Sequence, residues 1–156
     1  MSEKRVIISP FSRPLRNGER NPKNYPWWTE AVGMLNGRGI HTIQVGTSGE
    51  EYVGAKEWLK DLNLDDLAIQ INNCDTWAGI DNFFNHYASY YGKRGVAVFG
   101  ASDPNIYGYD FNINLLKGRE YLRPDQFGLW ESIKYDENRF VNPQTIVDAV
   151  VRILGA

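Results

Sequence analysis

The chain has 156 residues, enough for one domain with a buried core, and its content of 42% apolar and 23% charged residues is that of a globular protein. The formal net charge of −2 excludes the strongly basic balance of a nucleic-acid-binding or membrane-surface protein. With one cysteine, no apolar leader and no run long enough to cross a bilayer, the sequence predicts a cytoplasmic protein without an internal disulfide.

Short apolar runs alternate with helical patterns from the start of the chain. Residues 5–9 (RVIIS) predict a buried strand, and a polar loop over residues 10–25 separates it from a helix that begins near Pro26. Residues 40–45 predict a second strand, which ends at Gly46. The loop that follows contains a weak strand or turn.

The middle of the chain continues this alternation. Asn63 is a candidate N-cap for a helix over residues 64–74. A third strand is predicted at residues 76–80, and Asp81 is expected to begin and cap a helix over residues 82–92, which ends at a glycine.

The last third of the sequence is less regular. Residues 96–99 predict a fourth strand, and residues 100–142 predict mainly loops with a short strand at residues 113–116. Pro143 begins a final amphipathic helix over residues 143–154.

The alternation predicts an α/β domain with a Rossmann-like parallel sheet flanked by helices. The whole chain, 1–156, is interpreted as a single domain, with residues 107–142 as an aromatic-rich extension. The extension's aromatic side chains either wall a base pocket or cover the sheet where a partner domain would dock. Because ligands of parallel sheets bind beyond the carboxyl ends of the strands, Gly46, Asp81 and Gly100 are predicted to gather at one edge.

The start of the helix after the third strand has the chemistry of an anion site. A helix N-terminus carries a partial positive charge and N–H groups without intrahelical partners. Asn82 and the N–H groups behind it would face the anion, and His86 would lie one turn further along the same face. The structural alternative is that Asp81 is only a cap and His86 is a core histidine with satisfied hydrogen bonds.

The loop over residues 10–25 carries four cations within eleven positions. They are Arg13, Arg16, Arg20 and Lys23. Because the loop follows the first strand, it should overhang the same sheet edge, where arginine geometry suits a diphosphate. A solvated basic loop is the alternative interpretation.

Two carboxylates follow the second strand, since Glu50 and Glu51 come shortly after Gly46. A carboxylate at such a position accepts hydrogen bonds from both hydroxyls of a ribose, whereas the alternative is an ordinary polar turn. The sequence has no HExxH, CxxC, P-loop or GxGxxG pattern, so neither a metal site nor a cofactor is predicted.

Three stretches of the sequence carry a resemblance to a known family. They are IISPFS followed by Lys23 and NYPWW, then QVGTSGEE, and then DNFFNHYASYYGKRGVAVFGASDP. The third is similar to an Asp-Ser/Thr-Gly-x-x-His helix start that is followed by Ala, Gly-Lys and an apolar strand ending in Phe-Gly. Over residues 5 to 110 the chain therefore resembles the carboxyl-terminal half of the heptosyltransferases, B-type glycosyltransferases that use ADP-heptose.

The resemblance implies half of a GT-B fold and a site for a nucleotide diphosphate, a nucleotide sugar or a nucleotide signal. The residues implied in this site are Ser12, Arg13, Arg16, Lys23, Gly46, Glu50, Glu51, Asp81, Asn82, Phe83 and His86. The chain departs from the family pattern at Asn82, Phe83 and Arg94, where the family has Ser or Thr, Gly and Pro. The family's glycine lets a diphosphate approach the backbone closely.

The family's amino-terminal half, which binds the acceptor and supplies the catalytic Asp, is not part of this match. The resemblance therefore implies ligand binding more directly than transfer, and it leaves catalytic residues unassigned. The sequence favours a stand-alone module that binds, and sequesters, a nucleotide ligand. The alternatives are a glycosyltransferase completed by a homodimer partner or a separate chain, and a module that binds only protein. Exposed aromatics and the missing half also predict a homo-oligomer.

Overall fold

The computed structural model describes residues 3–155, which form a six-stranded, all-parallel sheet flanked by helices. The strands are β1 (Arg5–Ser9), β2 (His41–Gly46), β3 (Glu57–Lys60), β4 (Thr76–Ile80), β5 (Val96–Phe99) and β6 (Ile113–Leu116). The helices are α1 (Trp28–Gly37), α2 (Leu64–Asn73), α3 (Phe83–Tyr90), α4 (Pro104–Tyr107) and α5 (Pro143–Leu154). The strand order is β3-β2-β1-β4-β5-β6, so the direction of winding reverses between β1 and β4.

Two apolar layers hold the sheet between its helices. Side chains alternate along a strand, so Val6 and Ile8 of β1 face one layer and Ile7 faces the other. The first layer is completed by α1 and α5, and the second by α2 and α3. Trp77 of β4 is fully buried in the second layer. This packing fixes the strand ends and the helix starts that surround the reversal point.

Most of the predicted elements are confirmed, and so is the predicted fold class. The strands expected at residues 5–9, 76–80, 96–99 and 113–116 have these bounds in the structure. Asn63 caps α2, since its side chain accepts a hydrogen bond from the Asp66 N–H at 2.8 Å.

One local prediction, of a weak strand or turn, is confirmed as a strand, and two others need correction. The weak strand or turn expected after β2 is β3, which pairs with β2 and forms one edge of the sheet. The helix predicted over residues 82–92 spans only Phe83–Tyr90. The loop predicted after β5 contains the short helix α4, which Asp103 caps by accepting from the Asn105 N–H.

Within residues 3–155, no helix combines the length and the apolar composition that crossing a bilayer would require.

Candidate ligand-binding site

A cleft of about 740 Å³ opens at the carboxyl ends of β1, β2 and β4, where the winding direction reverses. Its polar lining consists of Ser9, Ser12, Arg13, Asn21, Lys23, Gly46, Thr47, Glu50, Asp61 and Asn82. Its apolar lining consists of Phe11, Pro14, Val45, Leu62, Leu64, Leu67, Phe83 and Phe84. In open parallel sheets this reversal point is the usual position of a ligand. Seven of the eleven residues implied from the sequence therefore line one cavity.

The loop that follows β1 is held in place by hydrogen bonds between side chains and backbone. The Ser12 N–H donates to Asn24 Oδ1 at 2.8 Å, and Asn21 Nδ2 donates to the Arg13 carbonyl at 3.1 Å. The Tyr135 hydroxyl, from the aromatic extension, donates to the Asn24 carbonyl at 2.7 Å. These contacts fix the backbone that carries Arg13 and Lys23 to the cleft, as expected for a loop overhanging this sheet edge.

Lys23 is the most enclosed cation of the cleft. Its side chain is 18% exposed, and Nζ lies 4.0 Å from Asp81 Oδ2 and 5.3 Å from the centre of the Trp130 ring. Burial lowers the pKa of the Lys23 amine, the nearby Asp81 carboxylate opposes this shift, and the Arg123 guanidinium adds to it. Arg123 itself stacks on Trp130, with its guanidinium carbon 3.4 Å from the ring centre. An anionic ligand would add a second negative charge beside this partly desolvated amine, and so would favour its charged form together with Asp81.

The other predicted cations of the loop point elsewhere. Arg16 has a side chain that is 79% exposed, and its Nε lies 3.3 Å from Glu131 Oε1. The Arg20 guanidinium lies over the Tyr135 ring, 4.2 Å from its centre. Neither residue lines the cleft, so the structure brings together only Arg13 and Lys23 of the four predicted cations.

Two carboxylates line the opposite side of the cleft. Glu50 Oε2 accepts from the Thr47 N–H at 2.6 Å, and a Cβ built on Gly46 would lie 1.7 Å from the same oxygen. The glycine therefore lets the Glu50 carboxylate pack against the end of β2. Burial raises the pKa of Glu50, the Thr47 hydrogen bond lowers it, and the Asp61 carboxylate raises it further. Glu51 is exposed and does not line the cleft.

The junction between β4 and α3 differs from the sequence prediction. Asn82, not Asp81, is the N-cap of α3, because Asn82 has an extended backbone and its Oδ1 accepts from the Asn85 N–H at 3.2 Å. The Asn82 Nδ2 donates to Ser9 Oγ at 3.0 Å and to the Phe11 carbonyl at 3.3 Å. The Asn82 amide thus ties α3 to the end of β1 with both of its polar atoms.

Asp81 and His86 lie behind the cleft wall. Asp81 is buried, with its carboxylate between Lys23 and His86 Nε2, the latter at 3.9 Å. His86 Nδ1 shares a hydrogen bond of 2.8 Å with the Tyr109 hydroxyl. The His86 side chain is 45% exposed, so the interpretation of a core histidine is wrong. Neither residue lines the cleft directly.

The aromatic side chains of the extension do not form the walls of this cleft. The five that were considered for a base pocket are Tyr107, Tyr109, Tyr121, Phe127 and Trp130, and none is among the lining residues. Trp130 contacts Lys23, which lines the cleft, and Arg123, which does not. In the part of the chain that the structure describes, no group of three or more His, Cys, Asp or Glu side chains is arranged to hold a metal ion.

Several lining residues were not found from the sequence. Asp61 follows β3, whose Glu57–Lys60 pattern is half-buried and gives a weak strand signal, so its position at the sheet edge was not recognised. Asp61 adopts a positive φ of 56° and accepts from the Ser48 N–H at 3.1 Å. Leu64 and Leu67 were assigned to a helix, but no sequence signal distinguishes cleft-lining leucines from core leucines.

The sequence matches no family model and no curated protein, whereas the structure is similar to solved structures. A glycosyltransferase of family 9 from Veillonella parvula is 17% identical with a TM-score of 0.74, over 97% of this chain and 46% of that one. The ADP-heptose lipopolysaccharide heptosyltransferase II of E. coli is 16% identical with a TM-score of 0.72, over the same two shares. An E. coli heptosyltransferase solved with ADP is 19% identical with a TM-score of 0.57, over 72% of this chain and 37% of that one.

These similarities establish the fold. The chain has the Rossmann-like arrangement found in B-type glycosyltransferases, and it spans less than half the length of the solved structures it matches. The structural neighbours are heptosyltransferases and a family 9 glycosyltransferase, the family predicted from the sequence motifs.

Proposed function

We propose that the chain binds a nucleoside diphosphate or a nucleotide sugar in the cleft at the reversal point. The observation that carries this proposal is the division of charge in the cleft lining. Arg13 and Lys23 come from the β1 side, and Glu50 and Asp61 come from the β2 and β3 side. A diphosphate is complementary to the cations, and sugar hydroxyls are complementary to carboxylate acceptors.

Five of the residues that line the cleft have a stated part in the proposal. Lys23 and Arg13 contact the diphosphate, and Glu50 accepts hydrogen bonds from ribose or sugar hydroxyls. The Ser12 hydroxyl, which donates to the Asp81 carbonyl at 3.4 Å, lies beside the diphosphate. Gly46 gives Glu50 the space to do so.

Four of the implied residues act from outside the lining. Asp81 and His86 hold Lys23 in place rather than touching the ligand, since Asp81 lies within 4.0 Å of both. Arg16 and Glu51 contribute at most to the field at the cleft mouth, because both are exposed and neither lines the cavity.

The fold supports the same class of ligand. One of the similar structures is a heptosyltransferase described with ADP, and another is described with ADP-2-deoxy-2-fluoro heptose. At 16–19% identity this support is an analogy of fold, so the charges in the cleft carry the argument.

The direct test is thermal unfolding of the purified chain with ADP, UDP, ADP-ribose, cyclic nucleotides, ADP-sugars and UDP-sugars. A ligand at one hundred times its dissociation constant stabilises the fold by about 2.7 kcal/mol, a readily measured shift. We expect a shift with diphosphate ligands and little with cyclic monophosphates. If no nucleotide raises the unfolding temperature, the proposal is wrong.

Holding a ligand without turnover, and so sequestering it, is the first form of the function that we propose. The second is a glycosyltransferase completed by another copy or another chain, which agrees with the glycosyltransferase class of the similar structures. Mass spectrometry of a bound nucleotide sugar separates the two forms, because only the enzyme releases free sugar or transfers it. Sedimentation with and without ligand tests the predicted homo-oligomer.

A further inference from the structure

One wall of the cleft is apolar and ends in an exposed aromatic ring. This wall is lined by Leu62, Leu64, Leu67, Phe83 and Phe84. Phe83, the first residue of α3, is 59% exposed. Large apolar side chains that remain exposed at a groove rimmed by polar groups are typical of ligand-binding surfaces.

The Phe83 ring is held in a defined orientation by its neighbours. It stacks on Tyr87 one helical turn away, with a centroid distance of 5.3 Å and an interplanar angle of 23°. Tyr87 is anchored because its hydroxyl donates to the Leu64 carbonyl at 3.0 Å and its ring packs edge-on against Tyr91. An aromatic surface that is already ordered before binding loses little conformational entropy when a ring is placed on it.

Side chains occupy part of the N-terminus of α3. The Asn82 side chain accepts from the Asn85 N–H and bonds to the β1 exit, and the Phe83 side chain stands at the first helical position. The cations of the cleft come instead from the loop after β1. The cleft therefore separates a cationic contribution from an aromatic one.

We propose that Phe83 is the residue on which the aromatic base of the ligand stacks, with Leu64 and Leu67 packed against the base edge. This inference rests on the proposed nucleotide function and adds the residue that recognises the base. Stacking uses the π-face that every base has, so Phe83 selects nucleotides over sugar phosphates and pyrophosphate but discriminates weakly among bases.

The test is isothermal titration of the full chain with ADP, UDP and pyrophosphate, for the parent protein and three variants. Phe83→Leu keeps an apolar side chain and removes the ring, whereas Phe83→Tyr keeps the ring. Tyr90→Leu is the matched control, because Tyr90 is an exposed aromatic residue of the same helix that does not line the cleft.

We expect Phe83→Leu to weaken ADP and UDP binding about tenfold, because replacing an aromatic residue that stacks on a base typically costs this much binding affinity. Pyrophosphate binding should change less than twofold, and Phe83→Tyr and Tyr90→Leu should bind nucleotides like the parent. The inference is overturned if Phe83→Leu binds ADP and UDP as tightly as the parent, or if it weakens pyrophosphate equally. A parent protein that binds no nucleotide overturns the proposed function and this inference together. A parent that binds nucleotide, with a Phe83→Leu variant that binds it equally well, overturns this inference alone.

Discussion

The loop after β1 and the junction between β4 and α3 meet at the same cleft, but they use their polar groups differently. Side chains of the loop form hydrogen bonds with the loop's own backbone, and two of its cationic side chains, Arg13 and Lys23, line the cavity. The junction uses the Asn82 side chain to cap α3 and to hold the β1 exit. The comparison teaches that a helix start after a parallel strand can serve as a structural joint, while a neighbouring loop presents cationic side chains to the cleft.

The first prediction tests the loop side of this comparison. Lys23→Ala should weaken binding of a nucleoside diphosphate at least tenfold, because a charge-assisted hydrogen bond contributes about 1.5–3 kcal/mol. Isothermal titration measures the loss. Arg16→Ala is the matched control, since Arg16 belongs to the same loop but pairs with Glu131 outside the cleft. Equal affinities of Lys23→Ala and Arg16→Ala for the nucleoside diphosphate would show that Lys23 does not contact the ligand.

The second prediction tests the junction. Asn82→Ala should lower the free energy of unfolding by about 1–2 kcal/mol, because it removes a helix cap and two tertiary hydrogen bonds. Urea denaturation measures this change. Asn63→Ala, which removes the α2 cap alone, should cost about 1 kcal/mol and less than Asn82→Ala. A larger loss at Asn63 would contradict the description of Asn82 as a joint.

The third prediction separates a residue behind the cleft from residues that line it. His86→Ala should weaken ligand binding by less than about threefold and leave stability within about 0.5 kcal/mol, because the side chain is half-exposed and its polar contacts are with Asp81 and Tyr109 rather than with the cleft. Titration and urea denaturation of this variant beside Lys23→Ala measure both effects. A loss of affinity equal to that of Lys23→Ala would contradict this description and indicate that His86 contacts the ligand directly.

The fourth and smallest effect concerns the carboxylate side of the cleft. Burial raises the folded-state pKa of Glu50, so the folded state holds that proton more tightly than the unfolded chain does. The resulting stabilisation is present below the unfolded pKa and is lost as the pH rises through the folded pKa. Relative to the parent, Glu50→Gln should therefore gain stability as the pH rises above the unfolded-state pKa of a glutamate, about 4.3.

Urea denaturation of the parent and Glu50→Gln at several pH values provides the measurement. The exposed neighbour Glu51→Gln is the control variant, since that side chain does not line the cleft. A difference between the parent and Glu50→Gln that stays constant across the pH range would show that the Glu50 carboxylate is not desolvated as described.

Sequence patterns predicted the fold well because buried strands and capped helices have strong local signals. The two asparagine caps show where local signals no longer suffice to predict the structure. Asn63 has an apolar residue on each side, whereas Asp81 and Asn82 are adjacent and both suited to capping α3. The tertiary hydrogen bonds that Asn82 donates to Ser9 and Phe11 decide in favour of Asn82, and no local pattern contains that information.

The candidate site was partly predictable for the same reason. Lys23, Glu50 and Gly46 follow clearly recognised strands, so their meeting at one sheet edge could be expected. Asp61 was missed because β3 is a short, half-buried edge strand. The partnership of Arg16 with Glu131 joins residues 115 positions apart, so sequence spacing could not show that Arg16 is turned away from the cleft.

The most direct test of the central claim is mapping of backbone amide chemical shifts during titration of the labelled chain with pyrophosphate and with ADP. We expect pyrophosphate to shift amides of residues 10–25 around Arg13 and Lys23, and to shift those of residues 83–85 much less. ADP should shift the loop and, in addition, residues around Phe83 and Leu64. Pyrophosphate shifts concentrated at residues 83–85, with the loop unchanged, would contradict the claim that the loop after β1 holds the anion.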